Sequence, residues 1–157
     1  MNSQDQHFML QAIDLSKDNV AHGGGPFGAV IVRDGQVIAT GTNRVTANND
    51  PTAHAEVSAI RAACQKENSF KLEGCTIYTS CEPCPMCLGA IYWAGISRIC
   101  FGCNKQDAED IHFSDKFIYE EIDRPIDRRS VPTEQIMRED ALQAFRLWEE
   151  KADKVEY

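Results

Sequence analysis

The stretch FGAVIVRDGQVIATG, Phe27 to Gly41, decides the fold. Two β-rich runs, Phe27 to Arg33 and Gln36 to Gly41, flank Asp34-Gly35. An Asp-Gly pair supplies the two positive φ angles of a type I′ turn, so the runs pair as a hairpin. Upstream, Phe8, Leu10, Ile13, Leu15 and Val20 recur at helical spacing, which predicts a helix from about Asp5 to His22 that Gly23-Gly24-Gly25-Pro26 ends. Downstream, Thr42 to Pro51 is rich in Asn and Thr and reads as a loop. Thr52 to Cys64 carries helix-forming Ala, Glu and Arg, with Val57 and Ile60 on one face. A strand from Cys75 to Thr79, a helix from Cys84 to Ala94 stopped by Gly95, and a strand from Arg98 to Gly102 follow. A hairpin and then helix, strand, helix, strand predicts an α/β sandwich, a mixed sheet with helices on its faces. Beyond Gly102, Phe113 to Ile122 and Arg138 to Ala152 read as helices joined through the region of Pro125 and Pro132.

That order places two chemical half-motifs at helix starts: His54-Ala55-Glu56, and Pro83-Cys84-Pro85-Met86-Cys87 about thirty residues later. Cys84 and Cys87 are one helical turn apart, so both sulfurs fall on one side. With His54 they make three ligands for zinc, the number a catalytic site uses when its fourth position holds water. A helix N-terminus favours thiolates, and zinc lowers the pKa of its water from about 15.7 toward about 7, which supplies hydroxide as a nucleophile. Glu56 is not needed as a ligand and is left to move protons. A zinc-ribbon-like staple would account for the even spacing of Cys81, Cys84 and Cys87 but gives no reason for Glu56. Because the site must stay open for water, Cys81 reads as a neighbour of the metal. Cys64, Cys75, Cys100 and Cys103 read as core thiols.

At 157 residues one core is the default, and 43% hydrophobic with 25% charged residues is an ordinary globular balance, which disfavours disorder. No apolar run reaches the roughly 20 residues of a membrane span, and the start MNSQDQHFML has no export-signal pattern, so a cytoplasmic protein is expected. Seven cysteines, an odd number, point to thiols or metal ligands before disulfides. A net charge of -8 argues for a small substrate over a polyanion, since nucleic acid is held by Lys and Arg. Arg124, Arg128 and Arg129 are expected to be a solvated loop cluster.

The segment Asn49 to Glu56, with Thr79 to Ala90, resembles the cytidine deaminase-like superfamily of zinc deaminases. Two branches share this text, bacterial guanine deaminases and tRNA adenosine deaminases. The chain is more similar to the former, through Gly25 to Val30, Ala90 to Ala94, Phe113-Ser114-Asp115, Phe117-Ile118-Tyr119 and the terminal Glu156-Tyr157. The resemblance implies a three-layer α/β/α sandwich with a central mixed β-sheet over 1–157, one Zn2+ per subunit at His54, Cys84 and Cys87, and Glu56 as the proton shuttle. It implies guanine as substrate, with Phe27 stacking on the purine, Asn43 and Asp115 bonding its polar edges, and Ala55, Trp93 and Tyr157 completing the pocket. It further implies a homodimer whose C-terminal segment, about 135–157, is exchanged, so that Trp93 and Tyr157 serve the neighbour's site. Two other functions are carried beside it, editing of adenosine in tRNA and a non-enzymatic zinc-stabilised binding module.

Overall fold

A computed structural model describes residues 2–157, which fall into two compact units, the first reaching Tyr119 and the second Glu120–Tyr157. In the first, the elements run α1 (Ser3–Ala21), β1 (Gly28–Arg33), β2 (Gln36–Thr42), α2 (Val45–Asn48), α3 (Ala55–Glu67), β3 (Thr76–Cys81), α4 (Pro85–Ala94), β4 (Arg98–Cys103) and α5 (Lys105–Asp110). Helix α6 (Asp115–Asp123) leads into the second unit, which holds a 3-10 turn, Ile126–Arg128, and α7 (Arg138–Glu150). The strands lie in the order β2-β1-β3-β4. β1 is antiparallel to both neighbours and β3 is parallel to β4, so the sheet is mixed as expected.

Alternation along β1 sorts the core into two layers. Val30 and Val32 face α1, where they meet Phe8, Ala12 and Tyr78. Ala29 and Ile31 face the other way, onto Ala55, Ala59 and Ala63 of α3 and Ile91 and Ala94 of α4, with Ile77 beside them. Helices therefore cover both faces, giving the α/β/α sandwich. Each fully buried Val, Ile or Leu in these layers contributes about 1.5–3 kcal/mol. The hairpin turn has φ of 50° at Asp34 and 73° at Gly35, the two positive angles that its sequence anticipated.

Two contacts set how the helices sit. At Gly41 a Cβ atom would collide with the backbone of Ala55 and Ala59, so α3 lies directly on β2, backbone against backbone. On the opposite face, Asp5 of α1 is nearly buried and accepts two hydrogen bonds from Arg98 of β4, at 2.7 and 2.9 Å, and one from the Tyr78 hydroxyl at 2.7 Å. This three-residue knot ties the first helix to two strands.

Boundaries shift where side chains cap. Asn2 caps α1 by accepting from the Asp5 N–H, so that helix starts at Ser3 and not at Asp5. Helix α3 was expected over Thr52 to Cys64 but begins after His54, because Asp50 holds the Thr52 amide and hydroxyl in a tight turn. The segment Thr42 to Pro51, expected to be a loop, contains the short α2. Helix α5 was not anticipated; Asn104 and Asp107 form its capping box.

The guanidinium of Arg98 first, then the Tyr78 hydroxyl, hold the Asp5 carboxyl well below the usual carboxylate range. A depressed folded-state pKa adds stability that is present above the unfolded value, 3.8, and is lost as pH falls toward the folded one. Asp5→Asn should therefore lower the melting temperature at neutral pH, and its deficit against the unsubstituted protein should shrink below about pH 4. Thermal melts across that range test this, and a deficit independent of pH would contradict it.

Candidate functional site

Helices α3 and α4 begin close together, and their capping positions carry the half-motifs. His54 is the N-cap of α3, and Cys84 is the N-cap of α4, with Pro85 at the first helical position. The Cys84 Sγ accepts from the Cys87 N–H at 3.5 Å. His54 Nδ1 lies 3.5 Å from Cys84 Sγ and 3.5 Å from Cys87 Sγ, and the three donor atoms all lie within 4.8 Å of one another. Tetrahedral zinc, with bonds of about 2.0–2.1 Å to nitrogen and 2.3 Å to sulfur, sets such donors about 3.6 Å apart. The set fits zinc in both chemistry and spacing.

Electrostatics favours the liganding state. A hydrogen bond from Cys87, together with those from His54 and the helix amide, holds Cys84 down to about 4 against burial. The Cys84 anion and burial push its partner Cys87 upward. One sulfur is thus a ready thiolate, and the other releases its proton when a cation arrives.

Glu56, in the first turn of α3, is buried beside this set without belonging to it. Its Oε1 accepts from the Thr79 hydroxyl at 3.1 Å, and Oε2 is 3.4 Å from Cys87 Sγ. Burial raises its pKa above the ordinary carboxylate value. A carboxyl so placed can take and return a proton. Cys81 is also buried, with its thiol 3.8 Å from the Asn104 carbonyl oxygen and burial pushing it up to about 12. It is a protonated neighbour and lies outside the donor set, as expected.

A cavity of about 360 Å³ opens over these groups, and His54, Glu56 and Cys84 line it. Phe27, Asn43 and Asp115 line the same cavity. Asn43 Oδ1 accepts from the Val45 N–H at 3.2 Å, which leaves the amide hydrogens for an acceptor on a ligand. Asp115 opens α6, and burial and the Cys84 thiolate raise its carboxyl. The cavity does not take in Ala55 or Trp93. Ala55 is fully buried between α3 and the sheet, while Trp93 is 66% exposed on α4. Tyr157 belongs to the second unit, where it is 75% exposed.

Phe113, Glu82, Val45 and Pro51 also line the cavity and were not singled out as site residues. The Phe113 ring stands at 86° to that of Phe27 with centroids 4.9 Å apart, making a corner of two aromatic walls. Its signal was its place two residues before Asp115, where it read as a helix start. Cys75 is buried and Cys64 and Cys100 partly so, but Cys103 is exposed at the end of an edge strand, which corrects its reading as a core thiol. Arg124 pairs with Glu121, Arg128 with Asp127, and Arg129 donates to the carbonyls of Glu121 and Ile122, a locally neutralised loop.

Residues 2–103 match the family model for the cytidine and deoxycytidylate deaminase zinc-binding region. The chain is 50% identical over 151 residues to the guanine deaminase of Bacillus subtilis (strain 168), covering 96% of this chain and 97% of that protein. A crystal structure of guanine deaminase from Bacillus subtilis superimposes with a TM-score of 0.94 at 49% identity, covering 100% of this chain and 99% of the other. The tRNA-specific adenosine deaminase of Buchnera aphidicola subsp. Baizongia pistaciae is 39% identical over 109 residues, 69% of this chain and 67% of that protein.

Single replacement of His54, Cys84 or Cys87 by Ala should remove most of the zinc that copurifies, as read by elemental analysis, because each leaves only two protein ligands. Cys81→Ser should retain it. Zinc loss in Cys81→Ser, or retention in Cys84→Ala, would contradict the donor set.

Proposed function

The chain belongs to the cytidine and deoxycytidylate deaminase zinc-binding family, and from that membership we propose that it hydrolyses guanine to xanthine and ammonia. What carries the reading is a buried carboxyl, Glu56, set beside a His-Cys-Cys donor set under a cavity of about 360 Å³. Similarity over nearly the whole chain to a guanine deaminase supports the substrate.

His54, Cys84 and Cys87 would hold one zinc ion per subunit, which would supply the activation of the attacking water. Glu56 takes the proton of that water as its oxygen adds to the carbon bearing the exocyclic amine. It then passes protons to the ring nitrogen and the departing amine, so water and guanine become xanthine and ammonia. Its raised pKa suits both halves of this exchange. Phe27 and Phe113 would flank the flat purine, Asn43 would donate to an acceptor on the base, and Asp115 would meet its N–H edge. The described lining residues include Glu56, Glu82 and Asp115 but no Lys or Arg, an environment that repels phosphate and disfavours tRNA.

The assembly proposed is a homodimer. Helix α4 exposes Met86, Tyr92 and Trp93, and α7 exposes Phe145, Leu147 and Trp148, apolar faces of the kind a second copy covers. Exchange of about 135–157 would bring the partner's C-terminal end to the cavity and give Trp93 and Tyr157 their roles at the neighbouring site. The domain is otherwise taken as one functional unit over 1–157. No described helix is long and apolar enough to cross a membrane. Seven unpaired thiols suit a reducing compartment, and the cytoplasm is the one proposed.

Glu56→Gln should keep its zinc while ammonia release from guanine falls by about 10²–10⁴-fold. A non-enzymatic zinc module would be indifferent to the change. Ammonia release measured across guanine, adenine, adenosine and tRNA tests the substrate, and release from tRNA alone would overturn the guanine reading. Deleting the residues after 150 should depress turnover and leave zinc content unchanged; full activity in the truncated protein would remove the role given to Tyr157.

A further inference from the structure

Outside the cavity, at the end of α1, Asn19 is buried with its amide turned to two carbonyl oxygens. Its Nδ2 donates to Gly25 at 2.8 Å and to Asn43 at 2.9 Å. Because both partners can only accept, the orientation of the amide is fixed by its surroundings. Backbone bonds complete the circuit: within the loop Phe27 N–H donates to the Gly25 carbonyl at 2.9 Å, and across the two segments Asn43 N–H donates to the Phe27 carbonyl at 3.3 Å. The result is a closed ring of hydrogen bonds through Asn19, Gly25, Phe27 and Asn43. Two of its four members, Phe27 and Asn43, are the walls of the cavity.

We propose that Asn19 is a positioning residue for base binding, clamping the loop that carries Phe27 to the strand end that carries Asn43. The proposal rests on the reading of this cavity as the guanine site. Only a carboxamide of this length supplies two N–H groups from one atom here. An aspartate of the same shape would set an oxygen against two carbonyl oxygens, and an alanine would leave both carbonyls without their donor. The glycine run fits the same device. A Cβ at Gly24 would overlap the Asn19 amide group, and one at Gly25 would press on the Asn43 side chain at 3.3 Å. The backbone of Gly24 returns the contact, donating to the Asn19 carbonyl at 2.8 Å. Asn19 reaches neither the donor set nor Glu56, so its effect is confined to how the walls are held.

The test compares Asn19→Asp and Asn19→Ala with the unsubstituted protein in steady-state deamination of guanine, zinc content and amide hydrogen exchange. In Asn19→Asp, KM for guanine should rise about tenfold or more, the consequence of two lost buried hydrogen bonds. Turnover at saturation should stay within about threefold, since the chemistry is untouched. Zinc content should not change, and the amides of Gly24, Phe27 and Asn43 should exchange faster. A folded, zinc-loaded variant with unchanged KM, or one that loses kcat at unchanged KM, overturns the proposal. Should the Asn19 variants not fold, Gly24→Ala displaces the same amide from the other side, and an unchanged KM there overturns it equally. If the unsubstituted protein releases no ammonia from guanine, the substrate reading fails instead. The exchange measurement still decides the clamp in that event, because unaltered exchange in the variants would refute it.

Discussion

Everything at the active end depends on two helix N-termini meeting. His54 and Cys84 stand at the capping positions of α3 and α4, and Cys87 stands one turn into the second helix. A cap is the point where a chain turns from extended to helical, so its side chain is aimed across the helix end and away from its side. Two such ends placed together create a pocket of converging donors with unpaired backbone N–H groups behind them. The hydrogen bond from Cys87, with those from His54 and the helix amide, favours the anionic form of Cys84 against burial. The sheet determines the meeting: α3 rests on β2, while α4 spans from β3 to the parallel β4.

Glu56 introduces the opposing tension. A carboxyl one turn from a metal set would ordinarily be expected to bind the metal or stay in water. Here it is buried at the floor of the cavity, one oxygen accepting from the Thr79 hydroxyl on the strand behind it and the other 3.4 Å from Cys87 Sγ. Burial disfavours its charge and raises its pKa, whereas nearby cationic metal would lower it. A group held between such forces changes its protonation state easily, which is the property a proton carrier needs.

Much of this was legible in the residues because it depends on local chemistry. The hairpin was announced by Asp34-Gly35, the stop of α4 by Gly95, and the donor set by ligand type and spacing. Legibility failed at caps and turns whose local hydrogen bonds the residue types did not announce, and where a side chain distant in sequence decides the outcome. The start of α3 was misplaced because Asp50 holds Thr52, and α5 was missed because its capping box uses Asp in place of Glu. Nothing local marks Phe113, whose partner, Phe27, is far away along the chain. Cys103 read as a core thiol because composition cannot say which strand is the edge. Phe27, Asn43 and Asp115 could be named only through family resemblance; nothing in their spacing brings them together.

The absence of a side chain at Gly41 has a consequence for how such a protein can diversify. With helix and strand in backbone contact there, Glu56 and His54 are carried on a helix start seated directly on the sheet. The cavity walls are mounted differently: Phe27, Asn43 and Phe113 all stand on connections between elements. Substitutions in those connections can reshape the opening without disturbing the reacting centre. One rigid reaction floor can therefore accept a succession of interchangeable walls, and new specificities can arise by exchanging walls while the hydrolytic chemistry beneath is inherited unchanged.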